Sequence, residues 1–214
     1  MKLENITANF LGDSITEGVG TTGADKCFHA LIAKKYGMKV ARNYGIGGTR
    51  FAYQQTPSAT ARWDRSFNER FPQMEDDAEL VVVFGGTNDF GHGDAPIGNM
   101  DDREPSTFYG ACHHLMKGLI EKYPESTIVF MTPLHRAVEE RVRGEETLYL
   151  SKYVEIIKEV AAYYSLPVLD LWSVSGIQPK VDIIKQKYCP DGLHPNDAGH
   201  VLMAERIGNF LAAL

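Results

Sequence analysis

Cysteine is scarce: Cys27, Cys112 and Cys189 are the three in 214 residues. They are odd in number and far apart, so no disulfide framework is visible, and no CxxC pair points to zinc or redox work. Burial as small apolar side chains is their expected use. Long apolar runs are missing as well. Nothing approaches the roughly 20 residues that span a bilayer, which argues against a membrane protein. The opening residues, MKLENITANFLGDS, carry one early cation but no apolar h-region and no small-residue cleavage site. A cytoplasmic protein is therefore the expectation. Cations are outnumbered, 22 Lys and Arg against 28 Asp and Glu, for a formal charge of -6. Nucleic-acid surfaces rest on clustered cations, so that partner class is not expected. With 43% hydrophobic and 23% charged residues, the composition excludes disorder, collagen and coiled coil as overall descriptions.

What is present is an alternation of strand and helix patterns. Short apolar runs at Ile6 to Leu11, Met38 to Ala41, Leu80 to Phe84, Thr127 to Met131 and Leu166 to Leu171 read as five strands. The uninterrupted LVVVF run fits a parallel strand buried on both faces. Helical spacing predicts helices over Lys26 to Tyr36, Thr107 to Tyr123 with Ser106 as cap, Leu148 to Tyr164, and Asp197 to Leu214 with Asn196 or Asp197 as cap. This pattern predicts an α/β fold, a parallel sheet with helices on both faces. No repeat, low-complexity tract or linker interrupts it, so one domain over residues 1–214 is expected. Ligands of such sheets bind at the carboxyl ends of the strands. The loops of 14–25, 45–77, 85–105, 133–146 and 172–195 all come after strands and should gather at that edge.

Four blocks in those loops carry chemistry. Gly12-Asp13-Ser14-Ile15-Thr16 puts a hydroxyl just past the first strand. Ser14 is a weak nucleophile until a base takes its proton; equally, Ser14 or Asp13 can simply cap a helix. Asp191-Gly192-Leu193-His194-Pro195 supplies a candidate base. Asp191 can accept from His194 Nδ1 and leave Nε2 free for a hydroxyl proton, or the pair can be ordinary turn residues. Asn43-Tyr44-Gly45-Ile46-Gly47-Gly48 and Gly86-Thr87-Asn88-Asp89 offer a close-approaching backbone N–H and a side-chain amide, both suited to an oxyanion. Each block alone also reads as turn punctuation. A metal set of Cys189, Asp191, His194 and His200 lacks a second cluster of matched spacing. Gly18 to Gly23 spells GxGxxG, but no acidic residue stands at the end of the second strand, which a dinucleotide fingerprint requires. The G-x-S-x-G elbow fails because Thr16 takes the second glycine position.

Together, GDSIT, NYGIGG, GGTND and DGLHP resemble the blocks of the SGNH, or GDSL-type, hydrolase family, with Ser14, Gly48, Asn88 and His194 in the family's order. The first block reads GDSIT where many members have GDSL. The resemblance implies a flavodoxin-like three-layer α/β/α sandwich whose five-stranded parallel sheet has the order 2-1-3-4-5. It implies a serine esterase with Ser14 as nucleophile, His194 as base and acid, and Asp191 orienting it. The Ser14 and Gly48 N–H groups and the Asn88 amide would form the oxyanion hole, with Asp13 and Asp89 tying loops together and no metal or organic cofactor. The expected partner is a small-molecule ester; self-association is left open. Arg50, Phe51, Tyr53 and Trp63, from a loop mixing aromatic, amide and charged residues, and Arg136 are candidates for substrate contact. Their mixture suits a small acyl group, such as acetyl, on a polar alcohol or carbohydrate. Two alternatives stand beside this reading: acyl transfer on the same triad, and a non-catalytic binding module on the same sheet.

Overall fold

The computed structural model describes all 214 residues. In chain order the elements are β1 (Thr7–Gly12), α1 (Ser14–Glu17), α2 (Phe28–Tyr36), β2 (Val40–Gly45), α3 (Phe67–Arg70), β3 (Leu80–Phe84), α4 (Thr87–His92), α5 (Phe108–Lys122), β4 (Thr127–Met131), β5 (Glu140–Arg143), β6 (Glu146–Tyr149), α6 (Leu150–Tyr163), β7 (Val168–Leu169), α7 (Leu171–Val174), α8 (Asp182–Tyr188) and α9 (Asp197–Ala213). The main sheet has the order β2-β1-β3-β4-β7, and every pairing in it is parallel. With the separate β5–β6 hairpin set aside, this is the expected 2-1-3-4-5 order.

Alternation along the central strands sorts the core into two layers. Val81 and Val83 of β3 and Ile128 and Phe130 of β4 face one side, where α5 and α6 cover them with Phe108, Leu115, Ile156 and Ile157. Leu80, Val82 and Phe84, with Val129 and Met131, face the other, where α2 and α9 supply Phe28, Ile32, Met203 and Ile207. Burial on both faces explains why these strands are apolar without interruption. No helix is long and apolar enough to cross a membrane. The three cysteines are free and buried.

The register lines up the strand ends. Gly12 pairs with Gly45 and with Phe84, Phe84 with Met131, and Met131 with Leu169. The loops after these strands therefore leave from one edge, and the order reverses between β1 and β3, where ligand crevices form in open α/β sheets.

Several predicted boundaries move. β2 runs through Asn43, Tyr44 and Gly45, which read as a loop. As an edge strand it is only partly buried, so its composition is not that of a core strand. β7 shrinks to two residues, with Pro167 unable to donate to the ladder ahead of it. Residues 140–149 form an antiparallel hairpin, which delays α6 from Leu148 to Leu150. The N-cap of α5 is Thr107, whose Oγ1 accepts from Gly110 N at 3.1 Å, and not Ser106. The N-cap of α9 is Asn196. These caps make a direct test. Thr107→Ala should lower the unfolding free energy by about 1 kcal/mol in urea melts, whereas Ser106→Ala should change it by less than about 0.5 kcal/mol. Equal effects would contradict the assignment.

Candidate active site

α1 begins at the first residues past β1, and its geometry places Ser14. Asp13 caps it, accepting from Ile15 N at 3.0 Å. Thr16 sits over Gly12 and the last turn of the helix, at Thr16 and Glu17, backs onto Gly45, so a Cβ at either glycine would collide with α1. That close packing is the physical content of the GDSIT and NYGIGG blocks. Below them lies Arg70, buried in α3. It donates to the Gly12 and Tyr44 carbonyls at 3.1 and 2.5 Å and to Thr49 Oγ1 at 2.9 Å, fastening the ends of β1 and β2.

His194 comes from the other end of the chain. Asp191 Oδ1 accepts from the Leu193 and His194 N–H groups at 2.8 and 2.7 Å, closing a tight turn. Its Oδ2 accepts from His194 Nδ1 at 2.7 Å. That bond leaves Nε2 unprotonated in the neutral ring, and Ser14 Oγ donates to it at 3.0 Å. Burial pushes the Asp191 carboxyl up, but the two N–H groups and the histidine ring outweigh it and hold it below the ordinary carboxylate range. Asp191 therefore stays charged and acts as an acceptor.

The GxGxxG segment, which fitted no nucleotide site, clasps this turn to the first loop. Gly20 has φ +96, and a Cβ there would meet the Pro195 carbonyl. Thr22 donates from N and Oγ1 to the two carboxylate oxygens of Asp197 at 2.8 and 2.6 Å.

Gly48 and Asn88 complete the group. Gly48 has φ +77, and the Trp63 ring occupies the place where a Cβ would stand. Neither Ser14 N nor Gly48 N donates to any protein acceptor, and both residues line an open cleft of about 310 Å³. Asn88 Nδ2 gives one hydrogen to Thr49 O at 3.1 Å and keeps a second. A hydroxyl beside a free imidazole nitrogen, with three unengaged N–H donors on the same cleft, can take up an acyl carbonyl. The four residues of the metal set do not converge: His200 faces the core and accepts from Phe28 N at 3.1 Å, and no cluster of His, Cys, Asp or Glu is placed to hold an ion.

Asp13 and Asp89 are buried beneath the cleft. Asp89 accepts from Phe51 N at 3.0 Å and Ala52 N at 2.9 Å, tying the Gly48 loop to α4. Burial pushes Asp13 up to about 7, against the Ile15 N–H and Arg70, and the nearby Asp89 charge adds to the rise. Burial likewise pushes Asp89 up to about 6, against the Ala52 and Phe51 N–H groups.

Of the substrate-contact candidates, Trp63 lines the cleft. Arg50 and Phe51 do not, which corrects the expectation. Phe51 is fully buried against Phe67 and Phe108. Arg50 is buried and pairs with Asp64 at 2.5 Å. Tyr53 belongs to a separate groove with Gln54 and Glu69. Arg136 donates to Thr87 O and Oγ1, both at 3.2 Å, and so steadies α4 from behind. The cleft also holds residues the sequence did not single out: Val19, Arg62, His92 and Leu193. Glu17 fixes Arg62 at 2.7 Å while accepting from Gly47 N at 2.7 Å. Only His92 left a signal, standing four residues after Asn88 on one helix.

Residues 10–202 match the GDSL-like lipase/acylhydrolase family. The chain belongs to that family, one of hydrolases. Among solved structures, one is 32% identical and matches 100% of this chain and 99% of its own, with a TM-score of 0.88. A protein from Lactobacillus plantarum is 29% identical over 98% of both chains, with a TM-score of 0.85. The lipase/acylhydrolase from Enterococcus faecalis, 21% identical over 97% of this chain and 96% of its own, shares the fold at a TM-score of 0.65. No curated protein is significantly similar.

The raised carboxyls set a pH dependence. A folded group with a raised pKa binds more protons than its unfolded form, so its contribution is full at low pH and is lost as pH rises through the folded value. Asp13→Asn, which mimics the protonated form, should gain stability relative to the parent between about pH 4 and about pH 8 in paired urea melts. A constant difference, or one of opposite sign, would contradict the burial argument.

Proposed function

We propose that this member of the family is a serine esterase that removes small acyl groups from polar alcohols. The observation that carries the reading is the relay of 3.0 Å from Ser14 Oγ to His194 Nε2 and 2.7 Å from His194 Nδ1 to Asp191. Ser14 Oγ attacks the ester carbonyl while its proton passes to Nε2. The ring becomes cationic, and the ionised Asp191 stabilises it. Negative charge on the former carbonyl oxygen is met by the Ser14 and Gly48 N–H groups and the free Asn88 hydrogen. His194 then protonates the departing alcohol, and an acyl group remains on Ser14. Water, deprotonated by His194, attacks that acyl group and releases a carboxylic acid and the free hydroxyl.

A small acyl group is favoured by the shape of the cleft. Its large apolar residues are Val19, Trp63 and Leu193, and it opens broadly to solvent. No apolar tunnel stands ready for a long chain. The indole, Arg62 and His92 along the wall suit a carbohydrate or similar polyol better than a lipid.

Kinetics on p-nitrophenyl esters from acetyl to decanoyl test both parts. The acetyl ester should turn over fastest, and Ser14→Ala should lower kcat by about 10⁴ or more. Asn88→Ala, which removes one oxyanion donor, should cost about 10²–10³ in kcat. Activity rising steadily toward decanoyl would refute the small-acyl reading, and turnover surviving Ser14→Ala would refute the serine mechanism.

A further inference from the structure

α4 presents two cleft residues on one face, because Asn88 and His92 stand one turn apart. Asn88 has a place among the oxyanion donors; His92 has none in the reaction. It contacts Trp63, with ring centroids 4.6 Å apart, and its Nδ1 lies 3.1 Å from Arg50 Nη1.

The Arg50 contact fixes what the ring can do. A guanidinium has only hydrogens to offer, so Nδ1 must be the acceptor of that bond. The proton of the neutral ring is then on Nε2, which bonds to no protein atom and belongs to a cleft-lining residue. Arg50 is in turn held by its own partners. It is buried and donates to Ser58 Oγ at 2.7 Å, Asp64 Oδ1 at 2.5 Å and Trp63 O at 3.3 Å. The groups facing the ring reinforce its neutral state. Burial, then Arg50, Arg141 and Arg136, push His92 down to about 4. The side chain is thus a fixed donor beside an aromatic wall.

Resting on the esterase reading above, we infer that His92 is a specificity-determining residue: held in one tautomer by Arg50, it donates its Nε2–H to a hydroxyl or ring oxygen of the substrate's alcohol portion, with that portion lying against Trp63. An acetyl group is too small to extend past the oxyanion donors, so this stretch of wall meets the alcohol. An apolar alcohol would leave the donor unmet, and a polyol would satisfy it. The contact exists equally in the bound substrate and the transition state, so its loss appears mainly in KM. The role of Arg50, buried and out of the cleft, is to position the ring.

The test compares kcat/KM on a mono-O-acetyl hexose with that on p-nitrophenyl acetate. His92→Phe keeps a ring against Trp63 and removes the donor. It should lose about tenfold more on the acetyl sugar than on the aryl ester, chiefly through KM. His92→Gln, which restores an N–H, should recover part of that difference. Nitrogen-15 NMR of the parent should show His92 neutral and protonated on Nε2 at neutral pH. An unchanged ratio in folded His92→Phe, no recovery in His92→Gln, or a ring protonated on Nδ1 would overturn the inference while leaving the esterase reading intact. Absence of Ser14-dependent turnover on either ester would overturn both.

Discussion

One hydrogen bond, 3.0 Å between Ser14 and His194, joins positions 180 residues apart, and most of the architecture serves it. The central strands end in register, so the start of α1 and the turn ahead of α9 meet at one edge. Asp13 caps the start of α1, and Gly45 lets its end lie against β2. Gly20, Thr22 and Asp197 clasp the last turn to the first loop. α2 and α9 share the apolar layer beneath, and Phe28 N donates to His200 Nδ1 between them. A chain with the same four motifs but a slipped register would hold the chemistry in pieces.

The floor of the cleft is polar and buried. Arg70, Asp13 and Asp89 lie beneath it, with Arg50 beside it, and nearly all of their bonding partners are backbone atoms or loop side chains. Such groups are costly to desolvate, and each bond they make offsets part of that cost. Here the bonds go to the strand ends and to the Gly48 and Ser58–Asp64 segments, so the network converts burial into position. It holds backbone donors at the cleft without secondary structure of any length. It also explains why so few residues near Ser14 are free to do anything else.

Much of this architecture is legible in the chain itself. LVVVF and TIVFM are central strands because only a doubly covered strand is apolar throughout. The Ser, Gly, Asn and Asp-x-x-His blocks follow the first, second, third and fifth strands of the sheet and so fall at one edge, which the alternation of elements alone implies. Less legible are features whose sequence signal is shared with something else. The second half of β2 looks like a loop because an edge strand tolerates Arg42 and Asn43. The 140–149 hairpin is charged and mostly exposed. Phe51 and Arg50 carry the composition of a binding loop yet face inward, since sequence cannot tell an aromatic that packs from one that binds. The GxGxxG match is a clasp because Gly20 admits the Pro195 carbonyl, not a phosphate. His92 shows only by its spacing of four from Asn88, in a short helix that propensity does not predict.

The decisive measurement is covalent labelling of the native protein with an organophosphorus reagent, read by peptide mass spectrometry. A hydroxyl activated by His194 gives one adduct, on Ser14, and the adduct disappears in His194→Ala and in urea-unfolded protein. Labelling of Ser14 at the same rate without the imidazole, or an adduct placed on another residue, would show that the contact between the two ends of the chain does not activate the serine.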